Sequence, residues 1–218
     1  AISGFTNLAI KLASDEKAIK YLNNIAHSSK RLTGLLNNLL DLAKLESGKM
    51  ESKISLQNLG VIVNKSIKEL SSLIDEKKLS IDLVEKGNSD AEFDEELIHQ
   101  VIINLLSNAI KYSPSGETIS ISIESKMGIL NDKEQGILSF AIEDLGVGVP
   151  AEEFDSIFDS FTQSSNTDTN AGGTGLGLPI CKEIIKIHHG AVWVESPIDH
   201  SNLIGSRFKF EIPTTYSH

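Results

Sequence analysis

Apolar residues recur at helical spacing through the first 46 positions. Ile2, Phe5, Ala9 and Leu12 stand three, four and three apart. Leu22, Ile25, Ser29, Leu32, Leu36, Leu39 and Ala43 then alternate three and four without a break. This second series is a heptad seam, the narrow stripe a helix shows to a coiled-coil or bundle partner. Between the stripes, Ser14 followed by Asp15 and Glu16 predicts a helix start, with acids set against the positive end of the helix dipole. The pattern predicts a helical hairpin. Two helices, the first cut short, make a poor core alone, so a homodimer completing a four-helix bundle is the economical arrangement. Packing of the hairpin on its own domain is the alternative.

After Glu46-Ser47-Gly48 the period changes. Val63 to Lys77 predicts an amphipathic helix with Ile67, Leu70 and Ile74 on one face, and Leu79 to Val84 alternates as a strand does. Asp94 to Tyr112 predicts a long helix, closed by Ser113-Pro114-Ser115-Gly116. Thr118–Glu124 and Ile137–Glu143 read as strands. The polar, glycine-dotted stretch from about Gln163 to Gly173 predicts a mobile loop. A helix from Leu178 to His188, ended by Gly190, precedes strands at Ala191–Glu195 and Ser206–Ile212. The fold class expected is α+β: a helical hairpin over residues 1–48, then a two-layer α/β sandwich of mainly antiparallel strands over residues 49–218.

Composition narrows the chemistry. The 218 residues carry 20 Lys+Arg against 30 Asp+Glu, a net charge of −10, and only Arg31 and Arg207 are arginines. That balance argues against a nucleic-acid surface, so no nucleic-acid partner is expected. An anionic ligand must be met by local amides, a metal or a single lysine rather than by the overall field. The one cysteine, Cys181, excludes an internal disulfide and fits a reducing compartment. No apolar run approaches the roughly 18 residues of a membrane span, so no direct membrane contact is expected of these residues.

Three groups carry candidate chemistry. On the helix 94–112, Leu97 and Val101 set up a buried stripe that Asn104 and Asn108 continue at 100° per residue. Carboxamides on such a face are costly unless something binds them, and neutral oxygen ligands suit Mg2+ beside a phosphate chain. Capping of backbone groups near a helix end is the other reading. Lys111, one turn on, can reach a phosphate, and Tyr112 offers a flat partner to a base. The second group is Asp144-Leu145-Gly146-Val147-Gly148, directly after a strand. Its glycines allow close approach of a planar ligand, and its carboxylate can accept from an exocyclic amine such as adenine's; a tight turn with a surface aspartate is the plain alternative. The third is Gly172-Gly173-Thr174-Gly175-Leu176-Gly177-Leu178, immediately before a helix, where exposed amides and the helix dipole together suit phosphates. It is neither a P-loop, since Leu178-Pro179 stands where Lys-Ser/Thr should, nor a dinucleotide fingerprint, since no strand precedes it.

In their order these segments resemble the nucleotide boxes of sensor histidine kinases: Asn104-Leu-Leu-Ser-Asn108-Ala-Ile-Lys111-Tyr112, Asp144-x-Gly-x-Gly148, Phe158-Asp-Ser-Phe161 and Gly173-Thr-Gly-Leu-Gly177, with Gly205-Ser206-x-Phe208 similar to a last, weaker box. The hairpin resembles the dimerisation and histidine-phosphotransfer domain, whose second helix commonly ends as Asp41-Leu-Ala-Lys-Leu-Glu-Ser-Gly48 does. The resemblance covers essentially the whole chain. It implies a Bergerat-type sandwich shared with Hsp90, DNA gyrase and MutL, ATP and Mg2+ as ligands, and a response-regulator receiver domain as partner. It also implies a cytoplasmic fragment of a longer sensor protein, membrane-anchored or not. By that resemblance Asn104 and Asn108 hold the metal and phosphates, Lys111 contacts the phosphate chain, and Asp144 reads the adenine amine. Gly146 and Gly148 admit the purine, beside Tyr112. Residues 163–173 form a lid hinged at Phe158 and Phe161, and Gly173, Thr174, Gly175, Leu176 and Gly177 wrap the phosphates.

The family's acceptor motif, of the form His-Glu-x-x-x-Pro, is missing, so no phosphoacceptor is expected in this chain. Ala1-Ile2-Ser3-Gly4-Phe5 resembles the segment just after it, placing the histidine roughly two helical turns upstream of Ala1. His27 falls off the seam and reads as a solvated residue. His99 reads as packing, and His188-His189 as imidazoles complementing a helix carboxyl terminus. A non-kinase ATPase of the same sandwich is the rival reading. Such clamp proteins typically carry a general-base glutamate where Asn104 stands, and an amide cannot take a proton from water. A degenerate scaffold that no longer binds nucleotide is the other rival, and intact Asn108, Asp144 and Gly173–Gly177 argue against it.

Overall fold

The computed structural model describes residues 2–13, 15–48, 50–167, 174–198 and 205–216. Helices α1 (Ile2–Leu12) and α2 (Glu16–Glu46) form the hairpin. Ser14 lies outside the described residues, and the cap of α2 is Asp15, whose carboxylate accepts from the Lys17 N–H at 2.7 Å and the Ala18 N–H at 3.1 Å. The heptad residues Ile25, Leu32, Leu36 and Leu39 are exposed in this single chain. A second stripe of the same helix turns inward: Leu42 and Leu45 are buried in the core that continues into the sandwich, with Leu35 packed against it. α2 therefore carries two apolar faces, one open and one docked. No helix among the described residues is long and apolar enough to cross a membrane.

The sandwich follows as β1 (Ser55–Asn58), α3 (Leu59–Glu69), α4 (Ser71–Glu76), β2 (Ser80–Lys86), β3 (Asp90–Phe93), α5 (Glu95–Tyr112), β4 (Thr118–Leu130), β5 (Lys133–Asp144), α6 (Gly177–Ile187), β6 (Ala191–Glu195) and β7 (Ser206–Pro213), with short 3-10 turns at Ala151–Glu153 and Ser156–Phe158. A five-stranded sheet has the order β2-β4-β5-β7-β6, parallel at β2–β4 and antiparallel elsewhere; β1 and β3 pair apart from it. Alternate residues of the central strands face the helices: Ile119, Ile121 and Ile123, then Leu138, Phe140 and Ile142, then Phe208, Phe210 and Ile212, all buried. Phe140 and Phe210 stack at 5.0 Å between ring centres. Each such side chain stabilises the fold by roughly 1.5–3 kcal/mol relative to exposure, which makes this layer the platform for everything above it.

Three expectations need correction. The helix expected over Val63–Lys77 begins earlier, with Asn58 accepting from the Val61 N–H at 3.1 Å, and is split at Leu70, where φ −95° and ψ 7° leave the helical region. The split falls just before Ser71-Ser72, whose hydroxyls compete with the helical ladder. The strands 118–124 and 137–143 extend into a longer hairpin turned at Asn131-Asp132, both with positive φ (52° and 62°), the geometry that tight hairpin turns require. His188 does not sit at the end of α6 as a charged complement to the dipole. It is 1% exposed, burial pulls its pKa below the usual imidazole value, and it bonds Ile184 O through Nδ1 at 2.7 Å. Its Nε2 accepts the Asp94 N–H at 3.0 Å, so a neutral ring ties the end of α6 to the start of α5.

Candidate functional site

α5 buries one broad face, with Leu97, Ile98, Val101, Ile102, Leu105, Leu106, Ala109 and Ile110 in the core. Its other face carries a polar stripe. Asn104, Ser107, Asn108 and Lys111 stand at i, i+3, i+4 and i+7, are half-buried, and line a cleft. The Asn104 Nδ2 amide donates to the Gly177 carbonyl at 3.3 Å, across to the start of α6. The carboxamide of Asn108 has no hydrogen-bond partner among the described residues. Lys111 lies over the Tyr112 ring, 4.6 Å from its centre, and donates to its hydroxyl at 2.9 Å.

Opposite, β5 delivers Asp144 to the cleft floor. The carboxyl is 5% exposed, and burial pushes its pKa up to about 6, opposed by the Gly146 N–H, which donates to Oδ1 at 2.8 Å. Gly146 is required by space: a Cβ there would stand 2.6 Å from Asp144 Oδ1 and 2.9 Å from the Tyr112 carbonyl. The turn is fastened to the last box, with the Gly205 N–H donating to Gly146 O at 3.0 Å, and Ser206 and Phe208 reaching the cleft beside Asp144.

The third wall is the start of α6. Thr174, Gly175, Gly177, Leu178 and Pro179 line the cleft, and no side chain among the described residues caps the helix. Gly175 adopts φ +67° with its carbonyl receiving the Phe161 N–H at 2.8 Å, and a Cβ there would come within 2.8 Å of the Phe161 backbone. Gly172 and Gly173 lie outside the described residues, as do positions 168–171 of the expected lid. The part of that stretch that is described has no helix or strand. There the Glu153 carboxylate accepts the Ser165 N–H at 3.1 Å, and bonds from Ser164 and Ser165 hold its pKa below the usual range.

Most of the anticipated residues converge: Asn104, Asn108, Lys111, Tyr112, Asp144, Gly148, Thr174, Gly175 and Gly177 line the cleft, and Gly146 shapes its floor. Two lie elsewhere. Phe161 is 63% exposed and touches the site only through its backbone, and Leu176 is buried in the core at 1%. Phe158 is a core residue too, edge-on to Phe208 at 6.5 Å. His99 faces Glu69 of α3 at 3.2 Å instead of the cleft, and His27 is exposed on α2. Ser107 also lines the cleft, and its place on the Asn104–Lys111 stripe is the signal for it. Asn38 of α2 also lines the cleft, signalled only by its place between Leu35 and Leu42.

Comparison with known proteins agrees with this geometry. Residues 93–216 match the family described as histidine kinase-, DNA gyrase B-, and HSP90-like ATPase, and residues 1–48 match the His Kinase A (phospho-acceptor) domain. The chain belongs to the histidine kinases. Its helical hairpin is the family's dimerisation domain, and its sandwich is the ATP-binding catalytic domain. Hybrid signal transduction histidine kinase D of Dictyostelium discoideum is 33% identical over 211 residues, 94% of this chain and 13% of that relative, so the chain spans a small part of the relative's length. The crystal structure of full-length ShkA in complex with AMPPNP shares the fold at a TM-score of 0.76 and 22% identity, covering 99% of this kinase chain and 43% of ShkA. The histidine kinase ThkA, solved in complex with response regulator protein TrrA, aligns at a TM-score of 0.67 and 27% identity, over 98% of this chain and 57% of ThkA.

Proposed function

We propose that this chain is the ATP-binding kinase core of a sensor histidine kinase, with the hairpin over 1–48 and the catalytic domain over 49–218. Its reaction is transfer of the ATP γ-phosphoryl group to a histidine upstream of Ala1, for relay to a response-regulator aspartate. The observation that carries the reading is the half-buried polar stripe of α5: Asn108 lines the cleft one turn from Asn104 and one from Lys111, and the start of α6 lines the same cleft. Polar groups converging on a cleft are what orients a bound ligand.

In this reading Asp144 accepts the adenine amine, and the Gly146–Gly148 turn lets the base lie against backbone. Lys111 leaves the Tyr112 hydroxyl for a phosphate oxygen. The amides from Thr174 to Gly177 bind the remaining phosphate charge. The donor set also fits Mg2+: Asn104 and Asn108 offer neutral oxygens at i and i+4, and no cluster of three His, Cys, Asp or Glu side chains among the described residues offers a competing site. Magnesium bound there would supply charge neutralisation on the phosphates. Asn104 cannot serve as a hydrolytic base, which favours transfer to a side chain over ATP hydrolysis. The exposed heptad stripe of α2 supports a homodimer, and the ThkA complex supports a response-regulator receiver domain as the downstream partner.

Calorimetric titration with AMPPNP tests the reading. Magnesium-dependent binding is expected, weakened at least tenfold by Asn108→Ala, about the loss of one charge-assisted contact. Absence of binding by the parent chain overturns it. With labelled ATP the chain is expected to acquire no acid-labile phosphate, and labelling abolished by His27→Ala would overturn the acceptor assignment.

A further inference from the structure

The carboxyl end of α5 is closed in an unusual way. A helix leaves its last carbonyls without intrahelical donors. Here the natural donor to the Ile110 carbonyl would be the backbone of residue 114, which is a proline and has no N–H. The Ser113 N–H goes to Ala109 O at 2.9 Å, and the Gly116 N–H turns away to the Lys77 carbonyl at 3.1 Å. The missing donors come from one side chain 33 to 36 residues distant. The Lys77 ammonium donates to Ile110 O at 2.8 Å, Lys111 O at 2.7 Å and Ser113 O at 3.0 Å. All three of its hydrogens are used, and its charge sits at the negative end of the α5 dipole. The Ser115 hydroxyl completes the clasp, donating to Lys77 O at 2.7 Å. The remaining carbonyl of that turn, Tyr112 O, faces the Gly146 turn.

The clasped turn is the one that carries Lys111 and Tyr112. We propose that Lys77, which lies outside the cleft, is a positioning residue for phosphate binding: it holds the last turn of α5 so that the Lys111 ammonium is presented to the triphosphate. The role rests on the nucleotide reading above. It predicts a particular pattern of loss. Releasing the clasp displaces Lys111, so triphosphate affinity falls while affinity for adenosine, whose base would meet Asp144, is spared.

The test compares AMPPNP and adenosine binding in the parent, Lys77→Met, Lys111→Met and the double variant. Lys77→Met is expected to weaken AMPPNP about tenfold, the loss of one charge-assisted hydrogen bond, and adenosine less than twofold. The double variant is expected to be no worse than Lys111→Met alone, since both act through one contact. Equal losses for the two ligands, or additive losses in the double variant, overturn the proposal and leave Lys77 a merely structural cap. Failure of the parent to bind AMPPNP overturns the nucleotide reading itself, so the two failures are distinguishable. If Lys77→Met does not fold, the side-chain nitrogen resonance of Lys77 in the unsubstituted protein decides: it is expected to shift on adding AMPPNP and not adenosine, and no shift overturns the role.

Discussion

The two helices flanking the cleft are finished in opposite ways. α5 is closed at both ends by charged side chains. Asp94 accepts the Leu97 N–H at 3.0 Å and the Lys53 N–H at 2.6 Å, and Lys77 covers the far carbonyls. α6 is closed at its carboxyl end, where His188 joins it to Asp94; at its amino end no side chain among the described residues caps the open amides. The pair is thus riveted away from the cleft, and at the cleft Asn104 donates to the Gly177 carbonyl at 3.3 Å. Helix ends satisfied inside the protein hold the walls. The end left open is the one that faces the cleft.

The largest effect expected from breaking this arrangement lies at Asp144, the buried carboxylate on the cleft floor. Its pKa, raised from 3.8 to about 6, means the folded state holds the proton longer than the unfolded chain. Its contribution to stability is therefore present below pH 3.8 and lost as pH rises through about 6, a change of roughly 3 kcal/mol at full weight. Asp144→Asn should raise unfolding stability at pH 8 by up to about that amount, leave it unchanged at pH 3.5, and weaken AMPPNP tenfold or more. Urea titrations at the two pH values, with calorimetry, check all three; unchanged affinity would remove Asp144 from the base site.

Asp94 is the structural counterpart. Asp94→Ala removes a buried helix cap and a second, half-buried backbone acceptor, and should cost about 2 kcal/mol in urea unfolding while changing AMPPNP affinity less than threefold. His188 sharpens the same point with the opposite pH slope. Its pKa is lowered by burial, so its share of stability is present above the ordinary imidazole value of 6.5 and lost as pH falls below it. His188→Gln should cost roughly 1 kcal/mol at pH 8 and flatten the fall in melting temperature between pH 6.5 and 5.

The sandwich and its site were largely legible because their signals are local. Asn104, Asn108 and Lys111 interrupt an apolar helix at its own period, and the Asp144 and Gly175 turns need glycine for reasons of space and torsion. The strands of the central sheet alternate cleanly. What stayed hidden depends on distant partners. β1 and β3 are four residues each and pair with one another across 31 intervening residues, Asn58 to Asp90. The inward stripe of α2 competes with a stronger heptad seam on the same helix, so Leu42 and Leu45 carried no separate signal. Leu176 sits amid glycines in sequence, yet its side chain points to the core. The neutral state of His188 follows from burial between two helices, which no helix-end rule contains.

The finest test closes the open end of α6 without touching its core. Thr174 lines the cleft, and its hydroxyl accepts the Leu176 N–H at a long 3.3 Å. Thr174→Asp places a carboxylate where the helix dipole and free amides would meet a phosphate. In the absence of ligand this should stabilise the fold by about 0.5 kcal/mol, as acids near helix amino termini do at exposed sites. With ligand it should do harm, since the new carboxylate occupies the amides and repels the phosphates. The expected outcome is a slightly higher melting temperature together with a roughly tenfold loss in AMPPNP affinity that shrinks at high salt, because part of it is charge repulsion across partly screened solvent. Adenosine, which carries no phosphate, should bind Thr174→Asp as well as the parent. A variant that binds both ligands normally would show that the uncapped end of α6 is not where the phosphates lie, and the contrast between the two helices would lose its functional meaning.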